Sequence, residues 1–159
     1  MFDILKDTLI PKNCNRKNVL VGDEKEYRGV ALGIVYKWVG GCRHEECNKM
    51  KIPKYKLLFE QSSEYFKLNS PDPHFKFTTI QYNQNHKCAK HIDGKNVGDS
   101  YIIAFGDYEG GELIVYDEND KPTYIDIKNK FYKFNGSKFY HETSDFTGTR
   151  YSLVYFSVI

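Results

Sequence analysis

The sequence predicts a mainly β (α+β) fold, an antiparallel barrel or jelly roll braced by N-terminal helices. Short apolar segments separated by turn residues recur from Phe75 to the end of the chain, and no helical pattern comes between them. The composition agrees, because 13 Tyr and 11 Phe among 159 residues favour strands and rule out disorder over most of the length. We expect a single domain over residues 1–159.

The N-terminal part, residues 1–74, is expected to brace the barrel and to form the mouth through which a substrate enters. Pro11 ends its first predicted helix, and Gly40 with Gly41 ends its one predicted strand. The predicted elements are, in order, a helix over Phe2–Ile10, a loop over 13–28, a strand over Val30–Val39, a polar stretch up to Pro53 and a helix over Tyr55–Lys67.

Residues 75–159 are expected to form the catalytic barrel core. Turn-forming residues at 107–111, 117–121, 135–136 and 147–148 separate its predicted strands. These strands are Phe75–Tyr82, Ala89–Asp93, Ser100–Phe105, Glu112–Tyr116, Thr123–Ile127, Lys130–Phe134, Lys138–His141 and Arg150–Val158.

The charge balance excludes one mode of nucleic-acid binding. Lys and Arg number 23 and Asp and Glu 21, a net charge of +2, so there is no overall polycationic surface and any contact with DNA must be local. The apolar runs are too short to cross a bilayer, and we expect no membrane partner. The use of Lys, Asn, Ile and Tyr hints at an AT-rich genome, microbial or viral.

The cysteines and the N-terminus indicate an intracellular protein, cytoplasmic or nuclear, with reduced thiols. Asp3 and Asp7 interrupt the region where a signal peptide needs an unbroken apolar stretch. Cys42 and Cys47, with His44 between them, invite a zinc interpretation, but their spacing is not that of a zinc finger. Free thiols are the alternative that we favour. We also expect a monomer.

Three residues have the pattern of a metal site. His91 and Asp93 stand two positions apart on a predicted strand, so both side chains lie on one face and reach a single ion. His141, at the end of a later predicted strand, supplies a third ligand. Two His and one carboxylate form a facial triad whose open positions suit non-haem iron(II) and oxygen chemistry.

Arg150 and Ser152 share one face of the last predicted strand. A guanidinium binds a carboxylate through two hydrogen bonds, and the neighbouring hydroxyl donates a third, so a dicarboxylic co-substrate could be anchored here and chelate the iron at its other end. The alternative for Arg150 is a surface ion pair.

The combined pattern resembles the iron(II)- and 2-oxoglutarate-dependent dioxygenases over roughly residues 75 to 158. It consists of His91-x-Asp93, His141, Arg150-x-Ser152 and the hairpin Gly110-Gly111-Glu112-Leu113. The resemblance implies a double-stranded β-helix (a cupin-like jelly roll), iron(II) bound by the triad, O2 as oxidant, and Arg150 with Ser152 on the distal carboxylate of 2-oxoglutarate. It also implies that Tyr82 contacts the co-substrate, unless Tyr82 is a core aromatic.

Within that superfamily, residues 91–96 with Ser100, residues 105–108 and 110–111 most resemble the TET and J-binding-protein branch. That branch oxidises the 5-methyl group of 5-methylcytosine or thymine, and the resemblance implies a DNA substrate whose base is hydrogen-bonded by Asn96. The alternative for Asn96 is that it only shapes a turn, and Lys90 and Lys95 either hold phosphates or form a solvated face. The large modules of that branch have no counterpart in this sequence, so the resemblance does not extend to recognition of long duplex DNA, and a small oligonucleotide, a displaced strand or a free base is the alternative substrate.

Two other functions remain open at this point. The same barrel and triad support a protein side-chain hydroxylase of the prolyl type, since the metal ligands serve the iron and not the substrate. A binding module of cupin-like fold without turnover is the third hypothesis.

Overall fold

The computed structural model describes residues 1–38 and 40–159, and over those residues the chain forms two antiparallel β-sheets and two α-helices. Two short 3-10 helices, Lys17–Val19 and Asn48–Lys51, lie in the connections. The elements are α1 (Phe2–Asp7), β1 (Lys12–Asn13), β2 (Tyr27–Trp38), β3 (Cys42–Glu46), α2 (Pro53–Asn69), β4 (Thr79–Gln84), β5 (Ser100–Gly110), β6 (Leu113–Tyr116), β7 (Pro122–Ile125), β8 (Tyr132–Phe134), β9 (His141–Thr143) and β10 (Phe146–Phe156).

The larger sheet has the order β1-β2-β4-β10-β5-β8, and β3 pairs with the outer part of β2 as a hairpin. The smaller sheet has the order β7-β6-β9. Strand β10 lies at the centre of the larger sheet, where Ser152 is opposite Asn83 on one side and Ala104 on the other. Its side chains alternate, so Tyr151, Leu153 and Tyr155 join the hydrophobic core on one face while the other face is left for the site.

Helix α2 covers the core face of the larger sheet. Its buried residues Tyr55, Leu58, Ser62 and Phe66 recur at helical spacing and form one stripe, and Pro53 begins the helix, where its missing N–H is not needed. The ring of Phe66 contacts five other aromatic rings, with centroids 4.8 to 5.8 Å away: Phe75, Phe77, Tyr101, Phe131 and Tyr155. This aromatic packing fixes the sheet whose opposite face carries the site.

The predicted mainly β, antiparallel class is confirmed, and the predicted helix Tyr55–Lys67 lies within α2. Helix α1 is shorter than Phe2–Ile10, because the backbone turns extended at Thr8. The predicted loop over 13–28 contains a 3-10 helix and the start of β2, and the polar stretch before Pro53 contains β3. Val39, the last residue of the predicted strand Val30–Val39, lies outside the described residues.

Several strand predictions in the C-terminal part need correction. Ala89–Asp93 is not a strand, since only His91 pairs, through an isolated bridge to His141. Lys138–His141 is a turn that leads into β9, which begins at His141. The turn predicted at 147–148 is not formed, and both residues lie inside β10. Gly148 has φ +101°, and a Cβ there would lie 2.2 Å from the carbonyl oxygen of Asp107. Glycine here allows close strand approach.

The other predicted strands differ from the observed ones at their ends. Phe75–Tyr82 begins only at Thr79, Ser100–Phe105 extends to Gly110, and the remaining ends move by a few residues. None of the helices in the described part of the chain is both long and apolar enough to span a bilayer.

Candidate active site

The predicted triad is brought together in the structure. Donor atoms of His91, Asp93 and His141 all lie within 4.8 Å of one another, and no other such group of three occurs among the described residues, so Cys42 and Cys47 do not take part in one. His141 Nε2 lies 3.2 Å from Asp93 Oδ2, and His91 Nε2 lies 3.6 Å from Asp93 Oδ1. Both imidazoles are buried and Asp93 is half-buried.

The backbone places these side chains by a mechanism different from the one that the sequence indicated. His91 and His141 exchange a pair of backbone hydrogen bonds, N to O 3.0 and 2.9 Å, although His91 lies outside the strands and His141 is the first residue of β9. The amide of Asp93 donates to the carbonyl of Gly136 at 2.8 Å. Gly136 has no Cβ to intrude, since one there would lie 3.2 Å from His141 Cε1 and 3.5 Å from Asp93 Oδ2. The space beside the donors is therefore kept clear.

Each imidazole is oriented through its second nitrogen. His91 Nδ1 donates to the carbonyl of Ala89 at 2.6 Å, and His141 Nδ1 donates to the carbonyl of Phe139 at 3.0 Å. These bonds put the ring proton on Nδ1 and leave the lone pair of each Nε2 directed at the common point between the donors. This is the arrangement expected of metal-binding histidines.

The charge of Asp93 is stabilised by its neighbours. Burial alone would raise the pKa of its carboxyl, but the neighbouring imidazoles of His141 and His91 and the charge of Arg16 outweigh that effect and hold the pKa below its usual range. Arg16 Nη2 lies 3.1 Å from Asp93 Oδ1. The carboxylate is thus ionised at neutral pH, as a metal ligand must be.

Arg150 is the second unusual group. It is 3% exposed, donates from Nη2 to the carbonyl of Gly111 at 3.0 Å, and has no hydrogen-bond partner at Nε. Its guanidinium carbon lies 5.5 Å from the ring centroids of both Tyr108 and Phe146, and no described carboxylate pairs with it. Burial lowers the pKa of Arg150. An unpaired buried guanidinium is costly, so the position fits an anionic ligand.

The position of Arg150 depends on Gly111. This glycine has φ +67°, and a Cβ there would lie 2.8 Å from Arg150 Nε and 2.9 Å from Arg150 Cδ. The surface-ion-pair alternative for Arg150 is therefore not what the structure shows, and the Gly110-Gly111 motif has a packing reason.

Ser152 belongs to a row of buried polar side chains. Asn83 Nδ2 donates to Ser152 Oγ at 3.1 Å, and Gln81 Nε2 donates to Asn83 Oδ1 at 3.2 Å. Sequence reasoning missed Gln81 and Asn83, although β4 alternates polar Thr79, Gln81 and Asn83 with apolar neighbours. That alternation was the available signal.

Tyr82 lies on the other face of β4 and is 1% exposed in the hydrophobic core. Burial raises the pKa of its phenol. Because period-two geometry turns it away from Asn83 and the site, Tyr82 is a core aromatic, and the co-substrate contact that the resemblance implied is not made by it.

A cavity of about 780 Å³ connects the triad to the surface. Its walls include the apolar side chains Ile102, Leu113, Phe134 and Val154 as well as the polar row on β4. Further polar lining comes from an N-terminal segment and from the turn after the metal ligands: Asn15, Arg16, Asn18, Lys95 and Asn96. Asn15, Arg16 and Asn18 come from the predicted loop over 13–28, where no local sequence pattern distinguishes them.

The lysines around the ligands differ in position. Lys95 and half-buried Asn96 line the cavity. Lys90 Nζ instead lies 2.6 Å from Asp120 Oδ1 and 3.7 Å above the Tyr116 ring, and Lys87 Nζ pairs with Asp145 at 2.6 Å. The structure therefore does not place Lys90 in the cavity, and its solvated-face interpretation is supported.

No known family profile and no curated protein matches this sequence. Solved structures do match. A "2OG-Fe(II) oxygenase family" oxidoreductase from Burkholderia pseudomallei is 17% identical, with a TM-score of 0.60 over 98% of this chain and 74% of that one. NgTET1, solved in complex with 5mC DNA, is 12% identical, with a TM-score of 0.55 over 81% of this chain and 60% of that one.

The chain shares the fold of these two structures, the first of which is a 2OG-Fe(II) oxygenase. A Pseudomonas putida prolyl-4-hydroxylase is matched with a TM-score of only 0.46 and 12% identity, over 91% of this chain and 76% of that one. The His-Asp-His donors, the unpaired Arg150 and this fold together fit iron(II), 2-oxoglutarate and O2 as the cofactors of the site.

Proposed function

We propose that the protein is an iron(II)- and 2-oxoglutarate-dependent dioxygenase with a double-stranded β-helix core, which hydroxylates the 5-methyl group of a pyrimidine base in DNA. One observation carries the enzyme class: an oriented His-Asp-His set, together with a buried guanidinium on β10 that lacks an anionic partner among the described residues. Iron(II) with 2-oxoglutarate and O2 supplies the conversion of a C–H bond to an alcohol, with succinate and carbon dioxide as the other products.

The residues of this chain hold the metal, orient the co-substrate and shield the reacting C–H bond from water. His91 and His141 present Nε2, and Asp93 presents a carboxylate oxygen, so three ligand positions are protein and the rest stay open. Arg150 binds the distal carboxylate of 2-oxoglutarate through Nε and the free side of its fork. Ser152 Oγ already accepts from Asn83, which leaves the hydroxyl proton of Ser152 to donate to the same carboxylate.

The apolar part of the cavity has its own role. Ile102, Leu113, Phe134 and Val154 present no hydrogen-bonding side-chain atom, so they limit water near the reacting C–H bond. The protein thus contributes positioning and exclusion of water.

The polar mouth of the cavity supports a base as substrate. Asn96, Asn15 and Asn18 each offer an amide donor and an acceptor, the combination that reads a base edge, and Lys95 lies beside them. A base within a duplex would have to be flipped out at a cost of a few kcal/mol. Because the chain has little net charge, we propose that the nucleic acid is held by local contacts at this mouth.

Product mass spectrometry tests this function. The protein with iron(II), 2-oxoglutarate and O2 is incubated with single- and double-stranded DNA containing 5-methylcytosine or thymine, with RNA and with peptides. We expect a gain of one oxygen on a pyrimidine and an equal amount of succinate, both absent in His141→Ala. Oxidation confined to peptides would contradict the base substrate, and 2-oxoglutarate consumption equal to that of His141→Ala would contradict the enzyme class.

A further inference from the structure

The hairpin of β2 and β3 sorts its side chains between two faces. Tyr36 is opposite His44 and Trp38 is opposite Cys42, so these residues share one face, which we call the aromatic face. The rings of Tyr36 and His44 pack edge to face, with centroids 5.6 Å apart. Tyr36 also lines the cavity, so the aromatic face continues the cavity wall outward.

The charges of the hairpin lie mainly on its other face. Lys37 Nζ is 3.4 Å from Glu45 Oε2, and Arg43 Nη1 is 3.8 Å from Glu45 Oε1. Lys37, Arg43 and Glu45 alternate with the aromatic positions, so period-two geometry keeps these ion pairs away from them. The aromatic face is therefore left with rings whose surfaces are not covered by salt bridges.

One cation reaches the aromatic face from the turn after the metal ligands. Lys95 Nζ lies 4.0 Å from the ring centroid of Tyr36, and Lys95 forms no ion pair within the described part of the chain. Trp38 is 73% exposed. The large exposed ring of Trp38 thus lies beside the Tyr36 ring, over which the Lys95 ammonium is placed, at the mouth of a cavity. Such a combination is typical of an interaction surface.

We propose that the aromatic face binds the single-stranded nucleic acid that flanks the target base, with a base stacked on Trp38 and a phosphate contacted by Lys95. This inference rests on the proposed function, because it assumes that the base in the cavity belongs to a strand. Single-strand sites combine aromatic stacking platforms with cations along the backbone, and every base has a face that can stack.

The charges favour a nucleic acid over a polypeptide. A proline-rich peptide docks on aromatic grooves as well, but it brings no anion for the Lys95 ammonium, whereas a phosphodiester does. In paired duplex DNA, the base faces are stacked on one another and are not available to Trp38. The surface therefore fits a strand that is already single, or locally opened.

The balance of stacking and charge has a measurable consequence. If Lys95 makes one phosphate contact, binding to a single strand should lose affinity with salt at a slope of about −0.7 in log–log terms, far shallower than for a polycationic site. Removing the Trp38 ring should weaken binding about 5- to 150-fold, the range for one stacked base.

Trp38 is the only tryptophan of the chain, so its fluorescence reports on this surface alone. The probe is a short single-stranded DNA with one 5-methylcytosine, added without oxygen to protein loaded with metal and 2-oxoglutarate. We expect saturable quenching and protection from acrylamide. Binding by fluorescence anisotropy without any change at Trp38 would overturn the inference, and so would quenching by a proline-rich peptide but not by the DNA.

Variants make the test independent of the fluorophore. Anisotropy with a labelled oligonucleotide should show weaker binding for Trp38→Ala and most of the affinity retained in Trp38→Phe. The matched control is Tyr124→Ala, since Tyr124 is 61% exposed on β7 and should leave binding unchanged. Equal affinity of Trp38→Ala and wild type would contradict the inference even if the base is oxidised, whereas loss of base oxidation with stacking intact would count against the proposed function instead.

Discussion

Arg16 and Asp93, 77 positions apart in the sequence, form an ion pair with 3.1 Å between Arg16 Nη2 and Asp93 Oδ1. The other oxygen of Asp93 is directed at His141. Arg16 therefore occupies one oxygen and leaves the other for an ion. The same N-terminal segment is fixed at Val19, whose carbonyl accepts from the amide of Ala89 at 3.0 Å and from His86 Nε2 at 2.9 Å.

The first prediction concerns this ion pair. Arg16→Ala frees Asp93 to rotate, and we expect metal affinity to fall about 10- to 100-fold, the usual effect of losing a group that orients a ligand. Arg16→Lys should restore part of the affinity but not the fixed orientation. Anaerobic calorimetry with manganese(II) measures the metal affinity, and Arg43→Ala on the exposed hairpin is the control. Equal affinities in all variants would show that Arg16 does not orient Asp93.

The second prediction separates ligand binding from stability at Arg150. Arg150→Met replaces an incompletely paired buried cation by an apolar chain of similar length, so the ligand-free protein should be at least as stable as wild type. Its affinity for 2-oxoglutarate should fall by roughly 1.5 to 3 kcal/mol, with metal affinity unchanged. Denaturant unfolding and anaerobic titration measure the two effects. A marked loss of stability in the ligand-free variant would mean that the guanidinium is satisfied within the protein.

The third prediction is a pH dependence set by His86. Its ring is buried, stacks on Tyr27 with centroids 4.3 Å apart, and burial lowers its pKa below the ordinary value. The unfolded state therefore binds this proton more readily, and stability should decline as pH falls below about 6.5 towards the lowered folded pKa. His86→Asn should flatten this decline in unfolding experiments between about pH 7 and pH 5. An unaltered slope would assign the decline to other groups.

The fourth prediction concerns the packing of α2. Phe66→Ala removes the ring at the centre of the aromatic cluster and should cost about 3 to 5 kcal/mol in the free energy of unfolding. Leu68→Ala, only two residues away but 74% exposed, should change it by less than about 0.5 kcal/mol. Urea denaturation measures both. Similar losses for the two variants would contradict the described packing of the helix.

The sequence was informative where chemistry restricts the residue types. His91, Asp93 and His141 were recognisable by their pattern although the predicted strand that was to carry two of them does not exist. Arg150 and Ser152 were recognisable because they lie in a long strand, where period two holds.

The other site residues could not be predicted from the sequence, because their positions depend on tertiary contacts. The resemblance implied Tyr82, but the connection from β4 to His91 turns at Asn85, which has φ +48° and hydrogen-bonds Arg150 through both backbone and side chain. Spacing across such a turn does not determine which face a residue takes. Arg16 has no local pattern, since its partner is distant in sequence.

In the proposed function, the triad and Arg150 form one site for iron(II) and 2-oxoglutarate. Its most direct test is an anaerobic absorption titration, in which iron(II) and 2-oxoglutarate are added to the wild-type protein, to His91→Ala and to Arg150→Met. We expect a weak visible charge-transfer band in the wild type, none in His91→Ala, and a band that needs much more 2-oxoglutarate in Arg150→Met. Absence of the band in the wild type, or an unchanged band in His91→Ala, would contradict it.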